Sequence, residues 1–308
     1  MNKYLVTGGA GFIGSHTVDQ LLAQEQHVVV LDNFSSGNRE NLPDSHPLLE
    51  VIEGDIRDAS AVAVAANGVT HCLHLAAQVS VVKSLEDPVD SATHNILGFI
   101  NVLNAIKENN AKRFVYASSA ATYGNPKTLP LSEAEPLGPE SPYGLEKQIN
   151  ELYVKLFKDL YDTSSCGMRF FNVFGPRQDP KSPYAGVIAL FADAVLANKA
   201  LTINGDGSQT RDFIFVNDVA RANVAALGCD YQGAVNVATG STVTLIELIE
   251  VLEKIAGHTC DKTFGPEREG DIKHSAAMVD TLQQSLKVTA KHGLEEGLRE
   301  LLNQPSQG

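Results

Sequence analysis

Short apolar runs alternate with longer stretches of helical period through the first half of the chain. Residues 2–7, Gln26–Leu31, Leu49–Glu53, His71–Leu75, Arg113–Ser119 and Ser165–Phe171 are rich in β-branched and aromatic side chains and read as strands. Between them, Gly14–Gln24, Ala59–Ala66, Val89–Asn109 and Tyr143–Tyr161 carry the pattern of helices. Each strand is thus followed by a helical crossover, which predicts a doubly wound, mostly parallel α/β sheet. After Asn172 the texture changes. Pro176, Pro180, Pro183, Gly186 and the turn Asn204-Gly205-Asp206-Gly207 break the chain into short pieces. These predict a smaller α+β substrate unit over the carboxyl edge of the sheet. The expected division is 1–171 with a returning segment at about 213–240 for the sheet domain, and 172–212 with 241–308 for the smaller one.

The passage from the first strand into the first helix is the strongest local signal. Gly8, Gly11 and Gly14 are spaced three apart, directly after the run that ends at Thr7. This is the spacing that lets backbone approach a dinucleotide pyrophosphate at a helix N-terminus, as in a Rossmann-type fold. The second strand ends at Asp32, whose carboxylate can accept both ribose hydroxyls of NAD and repels the 2′-phosphate of NADP. A second constellation lies further on. The strand Arg113–Ser119 ends in a serine, and twenty-four residues later Tyr143 and Lys147 stand four apart on a helix. An ammonium one turn from a phenol is expected to lower the phenol's pKa and favour a phenolate base, with Ser119 holding the same substrate hydroxyl.

Composition narrows the setting. With 308 residues, 43% hydrophobic and 20% charged, the chain reads as a globular protein of two units without a membrane-crossing run. A formal charge of −13 argues against nucleic acid or an anionic membrane as partner. Cys72, Cys166, Cys229 and Cys260 have no metal or redox spacing and are expected to be reduced thiols. His71 and His74, three apart on a strand, are expected on opposite faces, so no metal site is assigned. The first strand begins at the N-terminus of the sequence, so a cytoplasmic location is expected.

Taken together, Thr7-Gly8-Gly9-Ala10-Gly11-Phe12-Ile13-Gly14, Asp32-Asn33, Gly54-Asp55-Ile56, His74-Leu75-Ala76-Ala77, Ser118-Ser119 through Tyr123-Gly124, Tyr143/Lys147 and Arg169-Phe170-Phe171-Asn172-Val173-Phe174-Gly175 resemble the extended short-chain dehydrogenase/reductase superfamily. Within it the chain resembles the UDP-sugar 4-epimerases that act on UDP-glucose and UDP-N-acetylglucosamine. The resemblance implies NAD as cofactor and Ser119, Tyr143 and Lys147 as catalytic residues. It places Gly8, Gly11, Phe12, Ile13, Gly14, Asp32 and Asn33 around the cofactor, with Asp55 and Ile56 on adenine. Leu75, Ala76 and Ala77 would line the groove, Asn95 would support the catalytic centre, and Phe170 and Val173 would border the nicotinamide. For a UDP-sugar, it implies contacts from Ser119, Asn172, Val187, Thr202, Asn204, Arg211, Arg268 and Asp271, with Ser275 as the gate at the sugar's 2-substituent. Arginine suits the diphosphate because its planar fork makes paired hydrogen bonds to phosphate.

The residues leave three readings of function open. The segment Ala120-Ala121-Thr122 lacks the acidic group that the related dehydratases place there, which favours an isomerase that inverts carbon 4 through a 4-keto sugar. The alternatives are a UDP-glucuronate 4-epimerase or another nucleotide-sugar oxidoreductase, and a non-enzymatic NAD-sensing protein. Asp179 would be a poor neighbour for a glucuronate carboxylate. Leu145, Ile149, Leu152, Tyr153, Leu156, Phe157 and Leu160 make the Tyr143 helix apolar over more than one stripe. The resemblance implies a homodimer through a four-helix interface, with Ile96, Phe99, Ile100 and Leu103 on the second helix.

Overall fold

Six strands from the first 170 residues and one from further along the chain assemble into a single parallel sheet. The computed structural model describes residues 2–126, 128–179, 186–266 and 273–303. The strands are β1 (Lys3–Thr7), β2 (His27–Asp32), β3 (Leu49–Glu53), β4 (His71–His74), β5 (Arg113–Ser119) and β6 (Ser165–Phe170). A seventh, Gly233–Val237, pairs with β6. In space the sheet runs from that seventh strand through β6, β5, β4 and β1 to β2 and β3. The chain moves outward from β1 to β3, then crosses back to place β4 on the other side of β1. The crevice at the carboxyl ends of β1 and β4 is therefore the topological switch point, where open sheets of this kind bind ligands.

Both faces of the sheet are covered, so its central strands are buried on both sides. On one face Val6, Val28, Val30, Leu73 and Val115 pack with Val18, Leu21 and Leu22 of the helix Phe12–Ala23 and with Val219, Ala222 and Ala226 of the helix Val216–Leu227. On the other, Leu5, Val29, Leu31, Cys72, Phe114 and Tyr116 meet helices Ala59–Ala65, Phe99–Glu108 and Pro142–Tyr161. The four thiols are unpaired, and burial raises Cys166 to about 12. Among the described residues no helix is long and apolar enough to cross a membrane.

The predicted helix Val89–Asn109 is interrupted. Pro88–Ala92 leads into a π-helical turn at Thr93–Gly98, from which Phe99–Glu108 continues. A π turn inserts a residue and rotates the helix beyond it by about 100° relative to a continuous α-helix. This corrects the expected outward face. Phe99 and Leu103 are buried in the core, while Val89 and Leu97 are exposed and Ile96 and Ile100 are half-buried. Phe157 of the neighbouring helix is likewise buried and Tyr153 half-buried, whereas Leu145, Leu152, Leu156 and Leu160 are exposed.

The remaining elements form a second core. Strand Leu201–Asn204 pairs with Lys262–Gly265, and Thr210–Arg211 pairs with Val243–Thr244. Helices Val187–Leu196, Leu245–Ala256 and Leu294–Leu302 enclose Ile188, Val195, Ile203, Leu248, Leu252 and Leu298. The helix Leu245–Ala256 starts with a reciprocal cap between Thr244 and Glu247, as its Thr-x-x-Glu sequence dictates. The short helix Asp280–Gln284 returns to the sheet, where Leu282, Leu286 and Val288 join the first core.

Phe114 is the centre of an aromatic cluster, with ring centroids 5.7 Å from Phe99, 5.6 Å from Tyr116 and 6.3 Å from His74. Phe114→Ala is expected to lower unfolding free energy by about 3–5 kcal/mol, read from urea denaturation midpoints at unchanged slope.

Candidate active site

The glycine turn is built by backbone contact rather than by side chains. Gly8 has φ +69°, and a Cβ there would lie 2.7 Å from Ala76 N. A Cβ on Gly14 would sit 2.1 Å from the Gly8 carbonyl oxygen, so strand, turn and helix close on one another only with glycine at both places. Gly11 stands at the N-cap of the helix Phe12–Ala23, which no side chain caps. Its first N–H groups therefore face the crevice, which suits an anionic pyrophosphate. Asp32 is buried, and its two oxygens accept from Ala10 N at 2.9 Å and Phe34 N at 2.9 Å. Each carboxylate oxygen can accept a further hydrogen bond, which leaves the group competent for ribose hydroxyls. Leu75 N and Ala76 N bond to Thr7 O and Thr7 Oγ1, which ties the expected groove residues Leu75–Ala77 to the end of β1. The cradle and its donors fit a dinucleotide.

Other expected cofactor contacts are differently engaged. Asp55 accepts two hydrogen bonds from the Arg57 guanidinium, at 3.0 and 2.7 Å, one from Arg57 N at 2.8 Å and one from Asn33 Nδ2 at 3.0 Å. The guanidinium holds its carboxyl well below the usual range. Ile56 is buried in the core beneath the sheet. Phe12, Ile13, Val173 and Val187 all pack on the core of the C-terminal lobe, so the turn and the expected substrate side share one apolar wall.

Ser119, Tyr143 and Lys147 converge at the end of β5. Ser119 is the last residue of that strand, paired with Phe170 of β6. The helix Pro142–Tyr161 begins at Ser141, which caps Gly144 N, with Pro142 in its first turn. Tyr143 N donates to Ser84 Oγ at 3.1 Å. Lys147 is buried, donates to Ala117 O at 3.1 Å, and lies 5.7 Å from the Tyr143 ring centroid. The electrostatics differ from the sequence expectation. Burial raises the Tyr143 phenol above its ordinary value, a hydrogen bond with Ser119 pulls it down, and the Glu146 charge raises it. Burial also lowers Lys147 to about 8, opposed by the Glu146 charge. The ammonium is directed at a backbone carbonyl, and desolvation dominates the shift of the phenol.

His71 and His74 do face opposite ways. His71 stacks on Tyr4, with centroids 4.8 Å apart. His74 Nδ1 lies 2.7 Å from Thr7 Oγ1, and burial together with the Lys147 charge lowers it to about 3, so it is neutral.

The expected substrate residues fall into two groups. Asn172 Nδ2 donates to Asp212 O at 3.0 Å, where strand Asn172–Phe174 pairs with Phe213–Phe215. Arg211 and Ser275 are brought together through Thr210: Arg211 donates to Thr210 O at 2.9 Å, and Ser275 N donates to the same oxygen at 3.1 Å. Thr202 and Asn204 are the exposed positions of the strand Leu201–Asn204, whose Leu201 and Ile203 are buried, and Gln209 Nε2 links the strand to this corner by donating to Asn204 O at 2.5 Å. Arg268 and Asp271 lie outside the described residues, as do Pro180, Pro183, Tyr184 and Ala185.

Sequence reading missed several groups that shape the site. Asn95 does not stand alone: its side chain bonds Gln78 twice and Glu146 once, and Ser91 bonds the same Glu146 oxygen. Glu146 had a signal, since it lies three residues after Tyr143 on the helix face that turns inward. Asp212 is wholly buried and accepts from Thr239 N, Thr239 Oγ1 and Gly240 N, pinning the loop after the seventh strand; burial raises its carboxyl.

Relatives share this architecture over nearly the whole chain. Residues 4–238 match the NAD dependent epimerase/dehydratase family. A UDP-glucose 4-epimerase of Mycolicibacterium smegmatis is 39% identical over 301 residues, covering 96% of each chain. Among solved structures, a UDP-N-acetylglucosamine 4-epimerase from Methanobrevibacter ruminantium in complex with UDP-N-acetylmuramic acid superposes with a TM-score of 0.94 at 40% identity, covering 98% of this chain and 97% of that one. The UDP-glucose 4-epimerase of Thermus thermophilus in complex with NAD gives 0.90 at 37% identity over 98% of both chains. Likeness of that extent, on a sheet whose switch point carries the glycine turn, means that the chain belongs to the NAD dependent epimerase/dehydratase family.

Proposed function

We infer that the protein is an NAD-dependent isomerase that inverts carbon 4 of a UDP-hexose, taking UDP-glucose and UDP-galactose as well as their N-acetylated counterparts. The observation that carries this reading is the meeting of Ser119, Tyr143 and Lys147 at the end of β5, two strands from the glycine turn, with no acid in Ala120-Ala121-Thr122. The named relatives, UDP-glucose and UDP-N-acetylglucosamine 4-epimerases, support it.

NAD, when bound, accepts a hydride from the sugar and returns it, so no net oxidation occurs. Gly8, Gly11 and Gly14 would hold its pyrophosphate, Asp32 its ribose, and Leu75–Ala77 with Phe170 and Val173 its nicotinamide side. As phenolate, Tyr143 takes the proton of the 4-hydroxyl, and as phenol it gives the proton back. Ser119 orients the same hydroxyl, and Lys147 stabilises negative charge on the phenol when the proton leaves. Asn172, Arg211 and the segments that carry Thr202, Asn204 and Val187 would hold the UDP, with Arg268 and Asp271 completing that clamp.

Ser275 is the proposed gate at the sugar's 2-substituent, and its small side chain leaves room for an acetamido group. The lobes proposed are 1–171 with 213–240, and 172–212 with 241–308. A cytoplasmic location accords with four unpaired thiols.

We also propose a homodimer. Leu145, Ile149, Leu152 and Leu156 form a stripe along the helix Pro142–Tyr161, beside Val89, Ile96, Leu97 and Ile100. Exposed and half-buried apolar side chains arranged in this way suit a four-helix contact between two copies.

Proton NMR of the purified protein with each UDP-sugar is expected to show interconversion of C4 epimers, and Tyr143→Phe to cut kcat by about 10²–10⁴ while NAD affinity is retained; a reduced or 4-keto sugar as the accumulating product would sink the epimerase reading. Ser275→Tyr is expected to lower kcat/KM for UDP-N-acetylglucosamine by about tenfold or more against a small change for UDP-glucose. Leu156→Glu is expected to convert a dimer to a monomer in sedimentation velocity, since it places a charge within the proposed contact.

A further inference from the structure

Glu146 has no role in the reaction as described, yet it is 4% exposed and stands one residue before Lys147. Its Oε2 accepts from Asn95 Nδ2 at 2.7 Å and from Ser91 Oγ at 2.8 Å. Asn95 lies in the π turn and is held to Gln78 on both sides: Gln78 N donates to its Oδ1 at 2.9 Å, and its Nδ2 donates to Gln78 O at 2.8 Å. Gln78 directly follows Leu75–Ala77, and its Nε2 donates to Ser80 O at 3.0 Å and to Ser91 Oγ at 3.3 Å. Ser80 caps the helix Val81–Glu86, whose Ser84 Oγ accepts from Tyr143 N. These bonds form a closed ring that leaves the Tyr143 helix at Glu146, passes through the π turn and the groove loop, and returns at Tyr143.

We propose that Glu146 is a positioning residue for this reaction: its carboxylate fixes the Tyr143–Lys147 turn against the groove loop through Asn95 and Ser91, and its negative charge balances the buried ammonium beside it. The inference rests on the epimerase reading. The charged and titratable groups around it support the second part. On its own helix these are Tyr143 and Lys147, and from β4 only the neutral His74 approaches the ammonium. Asp90, on the turns before Asn95, faces Arg57, Lys83 and His94 instead. From β5 the neighbours are the Ser119 hydroxyl and the Ala117 carbonyl. Glu146 is thus the anion that faces the pair, and its charge raises both the phenol and the ammonium.

Glutamine can present one oxygen to the same two donors, so Glu146→Gln separates charge from geometry. With the anion gone, both groups titrate lower. The acid and alkaline limbs of the kcat/KM profile are expected to move together to lower pH by about half a unit to one unit. NAD affinity by calorimetry is expected to stay within about threefold of wild type, because the ring is kept. Glu146→Leu opens the ring and is expected to weaken NAD by about tenfold and to lower kcat by about 10–100-fold. Ser91→Ala removes one donor and leaves the charge, so kcat is expected to fall with both limbs in place, even should the Glu146 variants fold poorly. Unmoved limbs in Glu146→Gln, wild-type kcat and NAD affinity in Glu146→Leu, or wild-type kcat in Ser91→Ala would each overturn the proposal. A wild-type protein that binds NAD but epimerises nothing would overturn the functional reading instead, and the calorimetric arm would still decide whether Glu146 holds the groove.

Discussion

An ammonium group carried into the interior at the end of a parallel strand governs what surrounds it. Burying a charge is costly unless it is paired and hydrogen-bonded, and Lys147 meets that requirement with the Ala117 carbonyl, the Tyr143 ring and the nearby Glu146 charge. Burial still lowers its pKa to about 8, so the lysine remains cationic with little margin near neutral pH. The same charge helps to keep His74 neutral, and a neutral imidazole at the end of β4 can share a hydrogen bond with Thr7 without adding a second cation to the crevice. Polar groups that look unrelated in the sequence are therefore constrained by one buried charge.

The sheet explains why that charge lies beside a dinucleotide cradle. β1, β4 and β5 are adjacent, and their carboxyl ends carry Thr7, His74 and Ser119. Crossing from β3 back to β4 opens the crevice between the first two, and the glycine turn fills its floor with backbone. The second lobe is joined to the edge of the same surface by main-chain pairing of Asn172–Phe174 with Phe213–Phe215. Asp212, next to Arg211, then fixes the loop at Thr239 and Gly240, and Ser275 N bonds Thr210 O on the other side of Arg211. Phe12 and Ile13, between the second and third glycines of the fingerprint, pack on that lobe's core, so the glycine turn and the second core share side chains.

Much of this was legible in the sequence because it depends on local rules. Apolar runs bounded by turn residues located β1 to β6 to within a residue or two, since strands buried on both faces are continuously apolar. The glycine spacing and the Tyr143/Lys147 interval are likewise local geometry. The π turn was not legible, because it is stabilised by Asn95 reaching Gln78 and Glu146, contacts that span 17 and 51 residues. Phe99 and Leu103, which the resemblance implies for the outward face, are buried in the core beyond it. Spacing also gives the wrong direction for the Tyr143 shift: it shows that two side chains are neighbours, but desolvation depends on everything packed around them. The seventh strand, Gly233–Val237, was legible only as part of a returning segment, for its partner β6 is remote in sequence.

The rotational register of the Tyr143 helix has one further determinant, on its second turn past the site. Glu151 receives two hydrogen bonds from Arg169 of β6, at 2.9 and 2.7 Å, and one from Ser118 Oγ of β5 at 2.6 Å. Arg169 also donates to the Tyr123 hydroxyl, which donates to Asn236 of the seventh strand. Buried ion pairs contribute little net stability compared with apolar packing, but they penalise every arrangement in which one partner is left alone. Glu151 follows Lys147 by four residues and Tyr143 by eight, so all three share a face of the helix. A rotation that moved the phenol away from Ser119 would also pull Glu151 from Arg169 and Ser118. Successive residues of β5 thus divide the work: Ser118 points to the ion pair that fixes the helix, and Ser119 points to the phenol that the fixed helix presents.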